Sequence, residues 1–424
     1  NWQFGKYTDP KNNTYKVWMD EKLYLPRWEG QAAYILPPIQ NFNNGPTGMQ
    51  FNPGTALGSK WRDKFFLVEF IGDPARSHIW AFDLEPDGAG FRLKSEQDVL
   101  SGILPTGIRF GPDGALYLAD WINGWNTKDA GRVWKLDVKA SENDLAAQRA
   151  ETQNLMVMDY PKASEDSLSV LLGHADMRIR KKAQFELADR GRSGFRTFRD
   201  ALADSANQFR RIHAIWGLGQ LAARDDDRAE PLLELLGDTD PEIIAQAAKV
   251  LGDIRYEEAG EVLVPLLKDS VPRVRFFAAQ ALGRIGHKPA IEPLLEFLAE
   301  NDDRDVYLRH AGVLALARIG QAEPLLELAG HQDPTLRLAA VLALRRMQHP
   351  GIARFLEDSD EYILAEAARA IHDDWSIEEA LPDLAALLDR EGLQSEPLLR
   401  RAISAAQRTG DTTDLDRLIR FARR

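Results

Sequence analysis

A Pro-Leu-Leu tripeptide recurs at Pro231-Leu232-Leu233, Pro265-Leu266-Leu267, Pro293-Leu294-Leu295 and Pro324-Leu325-Leu326, and Pro241, Pro272 and Pro334 stand 31 and then 62 residues apart. A fixed period of about 31 residues marks a repeat architecture, in which each unit buries its apolar face only by stacking on the next. Each unit reads as an apolar helix, a turn such as Gly237-Asp238-Thr239-Asp240-Pro241, and an Ala-rich helix such as Phe276-Phe277-Ala278-Ala279-Gln280-Ala281-Leu282-Gly283. Proline at the first turn of the second helix loses no hydrogen bond there, and small Ala and Gly let neighbouring units approach closely. About eight such units fit residues 164–424, so this region is expected to be an α-solenoid of HEAT-type repeats.

The N-terminal third has different chemistry. Eight of the ten tryptophans precede residue 141, and residues 1–140 carry 16 basic and 16 acidic side chains. The remaining 37 basic and 49 acidic residues therefore hold the whole net charge of -12. Gly45-Pro46-Thr47-Gly48-Met49-Gln50-Phe51-Asn52-Pro53 returns as Leu104-Pro105-Thr106-Gly107-Ile108-Arg109-Phe110-Gly111-Pro112, and Ile79-Trp80-Ala81-Phe82-Asp83 returns as Val133-Trp134-Lys135-Leu136-Asp137. Short alternating runs around turns such as Pro112-Asp113-Gly114 describe a meander of antiparallel strands. Residues 1–140 are accordingly expected to form the last two to three blades of a partial β-propeller, with residues 141–163 as a polar linker. Propellers close with about four to eight blades, so the remaining blades are expected from another segment or chain that covers the open edge.

The acidic balance argues against a nucleic acid partner, and no apolar run approaches the ~18 residues of a membrane span. Zero cysteines exclude disulfides, thiolate metal sites and a covalently attached haem in this chain. Seven of the eight histidines lie in the solenoid without metalloprotease spacing, so no metal site is expected. Arg180, Arg211, Arg275, Arg309, Arg337 and Arg400 form a ladder at equivalent inner-helix positions, interrupted by Ile244 and Leu364. It reads either as a basic strip for an acidic partner or as a structural device pairing with turn acids such as Asp238 and Asp269.

Asp120-Trp121-Ile122-Asn123-Gly124-Trp125 is an aromatic, hydrogen-bonding loop suited to a sugar ring or a planar cofactor, or equally to packing between blades. Asp120, Trp121 and Trp125 are therefore site candidates. Arg76, after Gly72-Asp73-Pro74-Ala75, is the basic candidate for an anionic ligand, or else a solvent-exposed side chain with no ligand. Phosphate-loop, dinucleotide and serine-hydrolase motifs are absent.

Trp2-Gln3-Phe4-Gly5, Trp28-Glu29-Gly30-Gln31-Ala32-Ala33-Tyr34-Ile35-Leu36-Pro37-Pro38, the run Pro105 to Tyr117, the run Asp120 to Trp134, and the solenoid strings Leu171 to Arg180 and Ile212 to Gly219 together resemble one family. It is the membrane-bound dehydrogenase family of planctomycetes, verrucomicrobia and relatives, whose propeller is similar to sorbosone and soluble glucose dehydrogenases. The resemblance implies a periplasmic or extracellular quinone-dependent sugar or alcohol dehydrogenase, with pyrroloquinoline quinone and calcium in the intact protein and no haem in this chain. Its catalytic residues are expected outside residues 1–424. Thr106 stands where the glucose dehydrogenases carry an arginine pair, which adds it to the candidates. Hydride passes to the quinone and electrons to a cytochrome in such enzymes. The HEAT array is expected to dock a protein, a c-type cytochrome or another domain of the same assembly. The alternative is a non-catalytic scaffold or interaction protein, because no complete catalytic constellation lies between Asn1 and Arg424.

Overall fold

The structure, a computed structural model, describes residues 17–122, 129–373 and 375–423, the side chain of Asp226 excepted. Contacts divide the chain into two compact units, Phe42–Ile254 and Asn1–Asn41 with Arg255–Arg424.

Phe42–Ile254 opens with two antiparallel meanders. The first orders β1 (Pro46–Phe51), β2 (Phe65–Glu69), β3 (His78–Asp87) and β4 (Gly90–Ser101) in sequence, and the second orders β5 (Pro105–Phe110), β6 (Leu116–Asp120) and β7 (Arg132–Leu136). Alternation decides which face is buried. Phe66 and Val68 of β2 and Leu116 and Leu118 of β6 point into one core with Ile79, Ala81, Ile108 and Phe110. The sheets meet where β1 crosses β5, and the approach requires glycine: a Cβ on Gly48 would lie 3.2 Å from the Gly107 Cα. Two small open sheets are thus present, and they do not close into a barrel among the described residues.

The segment read as a linker contains a helix, Ala146–Met156. Its Arg149 is buried, holds Asp137 through two hydrogen bonds of 2.8 and 2.7 Å and donates to the Asp113 carbonyl, tying this helix to the second sheet. The helical repeats follow. In this unit the inner helices are Met177–Asp189, Gln208–Ala222 and Pro241–Asp253. In the other unit they are Pro272–Ile285, Val306–Ile319, Pro334–Met347, Glu361–Ile371 and Glu396–Thr409. Asp176, Asn207, Asp240, Asp305, Asp333 and Asp360 each cap an inner helix by accepting from its first-turn N–H groups. Pro241, Pro272 and Pro334 occupy the position where an N–H would lack a partner anyway. Several outer helices are short and tighten into 3-10 turns, as in Glu230–Glu234 followed by Leu235–Gly237.

Residues 17–41, assigned with the strands in the sequence reading, lie instead on helices. Val17, Leu23 and Ala32 form a small core of their own with Trp18, Tyr34 and Ile35. Such a segment has too little apolar surface to fold alone, and its polar groups find their partners on the inner helices from Val306–Ile319 to Glu396–Thr409.

Candidate functional site

Thr106, Asp120 and Trp121 come together at one end of β5 and β6, where Pro105 pairs with Asp120. Arg76 stands exposed at the end of a 3-10 turn in the β2–β3 loop. Trp125 lies outside the described residues. Asp120 is buried and its oxygens are engaged: it accepts from Leu104 N at 3.1 Å, Ile122 N at 2.9 Å and Trp134 Nε1 at 2.9 Å, with Arg132 at 3.4 Å. Burial opposes ionisation, yet the Trp134 and backbone N–H donors hold its carboxyl below the usual carboxylate range. The first sheet repeats this tie, since Glu69 accepts from Trp80 Nε1 at 2.8 Å and Asn44 N at 3.2 Å. Trp121 stacks on Phe70 with ring centroids 5.8 Å apart, and Thr106 donates to the Ala119 carbonyl at 3.4 Å. These contacts fasten strands to each other. Among the described residues no group of three or more His, Asp or Glu is placed to hold a metal ion.

The ladder arginines are mostly structural. Arg211 reaches Asp238 of the following repeat and donates to the Leu202 carbonyl, and Arg337 pairs with Asp358 at 2.7 Å. Asp238 thus bridges from the preceding repeat's arginine, while capping falls to Asp240 two residues on. Arg275 donates to the Leu267 carbonyl at 3.0 Å. Arg400 is the departure: it pairs with Glu396 on its own helix at the surface.

One residue further, Arg401 is fully buried and holds Glu21 at 2.6 Å and Asp373 at 3.1 Å. Arg369 shares Glu21 at 3.2 Å and also pairs with Glu366. Arg345 lies 3.7 Å from the ring centroid of Tyr34, whose hydroxyl donates to Asp373 at 2.7 Å. Burial and the neighbouring Asp373 carboxylate push the Tyr34 phenol far up, so it stays a donor. Burial alone would neutralise Asp373, but Arg401 and Arg345 hold it below the usual range. The backbone of the segment is gripped as well, with Arg309 donating to the Ala33 carbonyl at 3.0 Å and Tyr362 to the Gln31 carbonyl at 2.8 Å. Beside these contacts lies a cavity of about 1010 Å³ edged by Asp20, Glu29, Asp303, Glu361 and Glu396. Sequence reading missed Glu21, Tyr34, Arg345, Arg369 and Arg401. The only available signal was that arginines recur on inner helices off the ladder register.

In Phe42–Ile254, some of the corresponding inner-helix positions are exposed, although Ile212 and Ala245 are buried. Counting from the ladder, Phe185, Trp216 and Lys249 stand five residues on, as Arg369 does, and Lys181 stands one on, as Arg401 does. Phe185 is 49% and Trp216 37% exposed, and they line a cavity of about 490 Å³. Trp216 is held in place by its Nε1–H to Gln246 at 2.8 Å and by the His213 ring edge.

His213 anchors this face from below. Arg180 Nε donates to its Nε2 at 3.1 Å, and Nδ1 lies 2.7 Å from the Gln184 oxygen, an arrangement that selects the neutral ring with its proton on Nδ1. Burial, with Arg180 and Lys181 nearby, pushes its pKa down to about 3. The unfolded chain then takes up a proton near pH 6.5 that the folded chain refuses, so stability is full above pH 6.5 and falls as pH drops toward 3. His310 is shifted the same way by burial and Arg346. Urea unfolding is expected to show about 2 kcal/mol lost through His213 between pH 6.5 and 5. The variant His213→Asn should remove that part of the slope, and an unchanged slope would contradict the assignment.

A family model described as HEAT repeats matches residues 229–307. No curated protein sequence matches the chain. Among solved structures, an engineered protein is 20% identical with a TM-score of 0.35, covering 62% of this chain and 82% of its own. The complex of CpcE and CpcF of phycocyanin lyase from Nostoc sp. PCC7120 is 20% identical with a TM-score of 0.33, covering 59% and 97%. The archaeal HEAT-like repeats protein from Thermococcus onnurineus NA1 is 15% identical with a TM-score of 0.35, covering 53% and 98%. Among the described residues no helix is long and apolar enough to cross a membrane. The helical region of this chain carries HEAT repeats.

Proposed function

We propose that this chain is a docking scaffold whose HEAT repeats hold short polypeptide segments on their inner-helix faces. HEAT solenoids commonly present such surfaces to protein partners. The observation that carries the reading is the seating of residues 17–41: a carboxylate, Glu21, buried between Arg369 and Arg401, with two backbone carbonyls captured by Arg309 and Tyr362. Charge-assisted bonds to a side chain, together with hydrogen bonds to backbone carbonyls, are what recognition of a short polypeptide segment needs. The test loosens the resident segment. A fluorescent peptide of residues 17–41 should bind the folded variant Glu21→Lys with a Kd on the order of micromolar and leave the wild-type chain, whose face is occupied, unbound. A folded Glu21→Lys variant that ignores the peptide would refute the reading.

A second reading is favoured by the twin meanders, each fastened by a carboxylate–indole bond, Glu69 to Trp80 and Asp120 to Trp134. In it the sheets are blades of a partial β-propeller in a quinone-dependent sugar or alcohol dehydrogenase-like protein of the periplasm or cell exterior. The HEAT array would then dock a c-type cytochrome or another domain of the same assembly. Pyrroloquinoline quinone with calcium would supply the hydride acceptor. The engaged oxygens of Asp120 do not suit it, so its contacts would come from residues other than those described.

A further inference from the structure

From the open face in Phe42–Ile254 we infer that this unit docks an acidic and hydrophobic segment of a partner protein, an inference that rests on the scaffold reading above. Two adjoining cavities carry it. The cavity of about 490 Å³ at Phe185 and Trp216 shares Lys181 with another of about 290 Å³ that is lined by Met49, Phe51 and Arg109. They lie on either side of Lys181, one against β1 and β5 and the other on the inner helices Met177–Asp189 and Gln208–Ala222.

The surface is apolar where a side chain would insert. Met49 is 54% exposed and Phe185 49%, large values for groups with nothing to gain from water. Its charge runs against that of the chain: of the cations lining the two cavities, Arg178 is paired with Asp176 at 2.8 Å and Lys249 with Asp253 at 2.6 Å, and Arg109 and Lys181 add positive charge beyond those pairs. In a protein of net charge -12, a locally basic apolar surface selects acidic partners and speeds their encounter.

The mode of binding has a template in the same chain. Residues 17–41 run as a short helix, Val17–Asp20, followed by successive turns, and are anchored by Glu21 on Arg401, one position past the ladder, and on Arg369, five positions past it. Lys181 occupies the first of those positions on the open face, and Phe185 and Trp216 the second. A partner segment therefore places a carboxylate on Lys181 and an aromatic or aliphatic side chain between Phe185 and Trp216, where the fixed indole is a pre-organised anchor.

The test pans the full chain with a phage-displayed library of random peptides of about 12 residues. Enriched sequences are expected to carry acidic residues flanking an aromatic or aliphatic one, and their recovery should fall roughly tenfold or more against Lys181→Glu and against Trp216→Ala. Lys181 is exposed, so that variant keeps its fold even if Trp216→Ala is impaired. No enrichment, enrichment of basic sequences, or recovery undiminished by Lys181→Glu would overturn the inference. Because the resident segment 17–41 is untouched in this experiment, such a failure would leave the scaffold reading standing on its own peptide test.

Discussion

Arg401→Ala is expected to lower unfolding stability by about 3–5 kcal/mol, whereas Arg400→Ala changes it by less than about 1 kcal/mol. The two residues are neighbours on one helix and both pair with glutamate, so the contrast isolates burial. Arg400 meets Glu396 at the surface, where water screens the pair and each side chain gives up rotamer freedom. Arg401 is fully buried between Glu21 and Asp373, and its removal strands two carboxylates in a low-dielectric interior. Arg369 and Arg345 compensate in part, which keeps the loss within the range seen for one broken buried pair. Denaturant titration of both variants measures the difference. Equal losses would mean that residues 17–41 are not seated as described.

Asp176→Ala is expected to cost about 3 kcal/mol, with Asp176→Asn recovering part of it. This carboxylate is buried and works four ways: it caps the helix Met177–Asp189 at Arg178 N, accepts Thr55 Oγ1 at 2.7 Å, and takes both Nε and Nη2 of Arg178. Arg178 in turn donates to the Gly111 carbonyl at 2.7 Å, and Met177 N to the Pro53 carbonyl at 2.8 Å. The first inner helix is thereby bolted to turns of both sheets. Glycine is required beside it, since Gly54 has φ +118 and any Cβ there would collide with the Ala175 carbonyl. Alanine at 176 would leave the Arg178 guanidinium and the Thr55 hydroxyl without their acceptor. A loss no larger than that of a simple surface cap, about 1 kcal/mol, would show that the junction does not depend on this residue.

Local devices were legible because they repeat. The Pro that starts three of the inner helices, at 241, 272 and 334, and the Ala-rich face recur with a period that any stacked helix pair requires, and the strand alternation at Phe66, Val68, Leu116 and Leu118 dictated which side is buried. The arginine ladder was readable for the same reason, although the bridge runs forward from Arg211 to Asp238 and from Arg337 to Asp358. Asp120 was visible as unusual, but a buried acid tied to an indole and a ligand-facing acid have the same sequence signature.

The seating of residues 17–41 was not legible. Glu21 and Arg401 are 380 residues apart, and neither belongs to a periodic pattern that would announce a partner. Trp28 to Pro38 looked like part of the strand region because tryptophan content, not contact, drew the boundary. Likewise the net charge of the solenoid concealed a basic face, since Lys181 and Lys249 are outnumbered in sequence but not on their own side of the helices.

The central claim is that the inner-helix face of these repeats recognises a polypeptide segment, and amide hydrogen exchange across residues 17–41 of the intact chain tests it directly. Peptides covering Glu21, Gln31 and Tyr34 should exchange as slowly as the inner helix Glu361–Ile371, and Arg401→Ala should release them first. Exchange of residues 17–41 at the rate of unstructured chain in the wild-type protein would contradict the claim.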